Sequence, residues 1–120
     1  MEEYTFDFGR RTIIKNGAVY LNPDLVGRIN VPCAMIKPEL QRKKCTVELQ
    51  DGNVILKYSK DQPDNAKRMR VMIPATIRNE LKLKRNDYFK ITPNKEGTVF
   101  TLKIATDELT DEDIGRGTNE

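Results

Sequence analysis

The stretch that most restricts what this chain can fold into is residues 67–91. A basic cluster, Lys67, Arg68 and Arg70, leads into a short apolar strand at residues 71–73, which Pro74 ends because proline has no backbone N–H to give to a ladder. The fixed φ of Pro74 also suits a first helical turn. Ile77 and Leu81 follow at i, i+4 spacing on one face, with Leu83 closing that face. Residues 85–87, Arg-Asn-Asp, form a turn signal. Residues 88–92 and 98–104 are rich in β-branched and aromatic side chains, and residues 93–97 between them read as a hairpin loop. The predicted order is strand, short helix, strand, hairpin, strand.

The first half echoes the second. Setting Val19 on Val71 puts Leu21 on Ile73, Asn22 on Pro74, Leu25 on Ile77 and Ile29 on Leu81. Residues 46–50, the Asp51-Gly52 turn and residues 54–58 then repeat the strand, hairpin, strand order. In this overlay Ile29 and Val47 are 18 positions apart where Leu81 and Phe89 are 8 apart. The surplus falls in residues 30–44, which carry Pro32, Pro38 and the run Arg42-Lys43-Lys44 and read as an insertion outside the core. Upstream, Tyr4, Phe6 and Phe8 alternate with polar residues as an edge strand or arm would, and Asn16-Gly17 marks a tight turn. The predicted division is a first unit at 1–58, a linker at 59–66, a second unit at 67–105 and an acidic, disordered tail at 106–120.

The wording Arg-Val-Met-Ile-Pro-Ala-Thr-Ile-Arg-Asn-Glu-Leu at residues 70–81 resembles the swapped-hairpin DNA-binding domains of the AbrB, SpoVT and MazE type. The tandem arrangement is also reminiscent of the MraZ family, whose Asp-x-x-Gly-Arg signatures are not present as a pair. The first resemblance implies an α+β, mostly β fold: two swapped-hairpin units in one chain, forming an intertwined pseudo-dimeric β-barrel with short helical turns. It further implies a non-enzymatic transcriptional regulator that binds double-stranded DNA, cytoplasmic and nucleoid-associated. Carried over by position, Arg70 matches the family's Arg before the core and Arg78 its Arg after the helical turn. The overlay puts Ala18 and Val26 at those positions in the first copy, which keeps the leading basic residues instead. The implied DNA surface is therefore composite: Arg10, Arg11 and Lys15 from one copy, and Lys67, Arg68, Arg70 and Arg78 from the other.

Charge agrees with a polyanionic partner. Residues 1–105 hold 20 basic and 12 acidic side chains, net +8, whereas residues 106–120 hold 1 and 6, net −5. The acidic tail is expected to fold back on the basic face or to bind a protein partner, and an antitoxin or antagonist that binds a protein through this tail or through residues 30–44 is the first alternative function. Reuse of the barrel for assembly is the second. A homodimer is also expected. No histidine occurs, and no Gly-rich phosphate loop, Gly-x-Ser-x-Gly or His-Glu-x-x-His motif, so neither an enzyme nor a cofactor is predicted. Cys33 and Cys45, the only cysteines, are too few for a tetrahedral zinc site and read as reduced packing residues. With no apolar run of membrane-spanning length and a charged start, the chain is expected to be neither exported nor embedded in a membrane.

Overall fold

The computed structural model describes residues 12–24, 26–65, 70–84 and 86–113. The expected arm around Tyr4, Phe6 and Phe8 lies outside them. Two tight turns start the sheet. Asn16 and Gly17 (φ 53° and 81°) join β1 (Thr12–Lys15) to β2 (Ala18–Leu21), and Asp51 and Gly52 (φ 52° and 80°) join β4 (Cys45–Gln50) to β5 (Asn53–Tyr58). Paired positive φ values match the right-handed twist of the flanking strands. A third hairpin joins β7 (Phe89–Pro93) to β8 (Val99–Ile104) through a loop in which Asn94 Oδ1 accepts from the Thr98 and Val99 amides.

The fold is mostly β and antiparallel. These six strands form one sheet in the order β1-β2-β7-β8-β5-β4, while β3 (Arg28–Asn30) and β6 (Arg70–Met72) form a separate two-stranded ribbon. The longest α-helix among the described residues, α1 (Ala75–Leu81), starts after Pro74 and ends on Lys82 in the left-handed region. The ribbon and α1 supply Ile29, Val71, Ile73 and Ile77, which pack with Leu21, Leu56, Phe89, Phe100 and Leu102 of the sheet in one core. Burying one sheet face under a second layer is the ordinary solution for a small domain.

The strand pairings do not follow the expected overlay of the two halves. Val19 does not correspond to Val71: β2 pairs with β7, whereas β6 pairs with β3. An offset of 42 instead carries Arg28, Ile29, Val31 and Pro32 onto Arg70, Val71, Ile73 and Pro74, and Val47 onto Phe89. No insertion is then needed. After the longer β7–β8 loop the offset becomes 48, since Val47 opposite Leu56 matches Phe89 opposite Ile104. Equivalent residues now face each other directly: Ile29 opposite Val71 in the ribbon and Val54 opposite Leu102 in the sheet. An antiparallel pair in which equivalent residues are opposed has a local two-fold between its two strands.

Two further expectations are corrected. Residues 30–44 are core, not an excursion: Val31, Ile36 and Leu40 are buried in the main cluster. They correspond to the α1 segment, broken into 3-10 turns at Cys33–Met35 and Pro38–Leu40 because Pro38 cannot continue a helix. The tail is ordered at its start. Thr106–Glu108 forms a 3-10 turn, and Leu109 is buried with Ile13, Tyr20, Tyr88 and Ala105 on the other face of the sheet. Residues 114–120 lie outside the described residues.

Candidate nucleic-acid interface

Strand alternation sends Ile29 and Val71 into the core, so Arg28, Asn30, Arg70 and Met72 share the outward face of the ribbon. Met72 is 49% exposed there. Because Arg28 stands opposite Met72 and Asn30 opposite Arg70, the two arginines are diagonal neighbours related by the local two-fold. Their settings differ. Arg28 Nε donates to Asp24 Oδ2 at 2.6 Å, and Asp24 Oδ1 accepts from the Val26 and Arg28 amides at 3.0 and 2.8 Å. Burial alone would raise the Asp24 carboxyl, but these hydrogen bonds outweigh it and lower its pKa. In Arg70 the Nε is buried, with no hydrogen-bond partner among the described residues.

Arg78 projects from α1 back across the start of β3. Its Nε donates to the Ile73 carbonyl at 3.1 Å. The side chain crosses over Gly27, where a Cβ would lie 2.6 Å from Arg78 Cδ and 2.9 Å from the Ile73 carbonyl oxygen. Glycine at φ 87° is therefore required twice, for backbone conformation and for space. A cleft of about 200 Å³ opens beside it, lined by residues that include Pro23, Arg78, Leu83 and Lys84. An arginine anchored through Nε presents its two terminal nitrogens as a fork, the geometry that takes phosphate oxygens or the O6 and N7 of guanine.

Of the residues expected at the interface, Arg70 and Arg78 lie in the layer formed by the ribbon and α1. Lys15 does not join them. It shares the opposite sheet face with Ile13 and Tyr20, and its Nζ donates to Asp113 Oδ2 at 2.8 Å and to the Glu108 carbonyl at 3.1 Å. Around it Lys90 faces Lys103 across β7 and β8, and Glu108 accepts from the Tyr20 hydroxyl at 3.0 Å and from Lys90 at 3.5 Å. Arg10, Arg11, Lys67 and Arg68 lie outside the described residues. The residue missed by sequence reasoning is Arg28. Its signal was present: Gly27-Arg28-Ile29-Asn30-Val31-Pro32 matches Met69-Arg70-Val71-Met72-Ile73-Pro74 in the arginine, both apolar positions and the proline. The equivalent of Arg78 is the buried Ile36, so the surface carries arginine on both ribbon strands but on one helical segment only.

Among the described residues no group of three or more His, Cys, Asp or Glu is placed to hold a metal ion, and no helix is long and apolar enough to cross a membrane. Comparison with protein-family models, with curated proteins and with solved structures finds no match to this chain.

Proposed function

We propose that this chain is a non-enzymatic, duplex-DNA-binding transcriptional regulator of AbrB-like type, its two halves forming a swapped-hairpin pseudo-dimer that grips DNA with the outward face of the β3–β6 ribbon. The observation that carries this reading is the pair Arg28 and Arg70, related by the local two-fold on an outward-facing ribbon, with Arg78 beside them. A two-stranded ribbon fits the major groove of B-DNA, and arginine is the commonest reader of guanine there. The net charge of +8 on residues 1–105 supplies the sequence-independent attraction to phosphate. In the protein-capture alternative the tail needs a free apolar anchor, but Leu109 is buried against its own chain.

Fluorescence anisotropy with labelled duplex DNA at about 50 and 200 mM salt tests the reading. The wild type is expected to bind and to weaken steeply with salt. Arg28→Ala, Arg70→Ala and Arg78→Ala are each expected to cost roughly 1–3 kcal/mol of affinity, the range for a lost arginine–guanine pair. Absence of binding at the lower salt, with circular dichroism showing a folded protein, rejects it.

A further inference from the structure

The local two-fold exposes an imbalance in the sheet. Strand β7 is covered along its outer edge by β2, which pairs Leu21 with Phe89 and Val19 with Ile91. The equivalents of Phe89 and Ile91 in β4 are Val47 and Leu49, and among the described residues no strand lies beyond β4. Edge strands of soluble proteins are usually blunted by proline, lysine, a bulge or a cover. Strand β4, Cys-Thr-Val-Glu-Leu-Gln, pairs without a break along all six residues with β5 and contains neither proline nor lysine. Its core-facing side chains Cys45, Val47 and Leu49 pack on the main cluster yet stay only partly buried.

We propose that the outer edge of β4 is a homodimerisation surface, pairing antiparallel with β4 of a second copy to make one continuous sheet. The strand's own sequence selects the occupant. Directly opposed residues must share a face, so only registers differing by two residues are available. Centring the pair on Val47 sets Val47 against Val47 of the second copy and Cys45 against its Leu49, joining the two apolar rows. The same register sets Lys43, whose Nζ also lies 3.0 Å from Asp64 of its own chain, against Asp51 of the second copy and Lys44 against its Gln50, so no like charges meet at the ends. One step in one direction places Glu48 opposite Glu48, a like-charge pair that destabilises a sheet. One step in the other places Lys43 against Leu49 within the apolar row. Of these three registers, the Val47 one avoids both.

The test is carried out on the full chain. Sedimentation equilibrium is expected to give a dimer mass for the wild type and a monomer mass for Val47→Pro, with circular dichroism confirming that the variant keeps its strands. Independently, Val47→Cys treated with a mild oxidant is expected to form a covalent dimer whose disulfide maps to position 47 in both copies, while Thr46→Cys, on the other face, does not cross-link. Burial pushes the Cys45 thiol up to about 11, which keeps background reaction of that thiol low. A monomeric wild type overturns the proposal. A wild-type dimer that Val47→Pro leaves intact, or a Val47→Cys chain that yields no disulfide at position 47, overturns it as well. The proposal concerns assembly alone, so it stands or falls separately from DNA binding.

Discussion

Gly27 is the residue on which the proposed interface turns, because the Arg78 side chain occupies the space where any other residue would carry Cβ. Gly27→Ala is predicted to cost ~2 kcal/mol, from left-handed strain and from the clash with the Ile73 carbonyl. It should also weaken DNA binding by displacing Arg78. Gly17→Ala is the control: its φ is 81°, but nothing lies within 4 Å of the added Cβ, so ~1 kcal/mol and unchanged binding are expected. Urea unfolding and anisotropy on both variants decide this, and equal losses of affinity would refute the role given to Gly27. The need for Gly27 was hidden in the sequence because the overlay of Val19 on Val71 put it opposite Asn79. Two similar apolar triplets, Val-Tyr-Leu and Val-Met-Ile, outweighed the shared Arg-apolar-x-apolar-Pro string.

Elements with strong local chemistry were legible. Asn16-Gly17 and Asp51-Gly52 marked their hairpins, and Pro74 marked the junction of β6 and α1. Elements defined by distant contacts were not. Residues 106–113 look disordered by composition, yet Leu109 is buried and Thr106 bridges to the turn before β7, donating to Asp87 Oδ1 at 2.9 Å and accepting from the Tyr88 amide at 3.0 Å. Leu109→Ala is predicted to destabilise the protein by about 2 kcal/mol, the low end for a buried leucine at a sheet margin, as read from a urea titration. A loss near zero would mean that this segment does not hold the sheet. The same segment gives an acid dependence. The Lys15 ammonium and the Thr110 amide hold the Asp113 carboxyl at about 2, below the unfolded value of about 3.9. Its contribution is therefore fully present above about pH 4 and is lost as pH falls through about 2. Thermal melts across that window should show a shallower acid decline for Asp113→Asn than for the wild type, and parallel curves would contradict it.

The two halves of the chain share an Arg-apolar-x-apolar-Pro string and differ around it. Pro38 turns one helix into two 3-10 turns, Ile36 replaces the counterpart of Arg78, and the β1–β2 hairpin covers β7 but has no counterpart beyond β4 among the described residues. The mostly β character was legible because alternation and turn signals are local. The register between the halves was not, since it rests on Ile29 facing Val71 and Val54 facing Leu102 across long stretches of chain. The proposed function predicts that the ribbon and α1, rather than the lysine-bearing face around Lys15, meet DNA. The most direct measurement is a titration of the ¹⁵N-labelled protein with duplex DNA, followed by backbone amide shifts and the arginine Nε signals. Shifts concentrated at Arg28, Asn30, Arg70, Met72 and the Nε of Arg78 are the predicted result. Shifts concentrated at Lys15, Lys90 and Lys103, or none at low salt, would contradict the account.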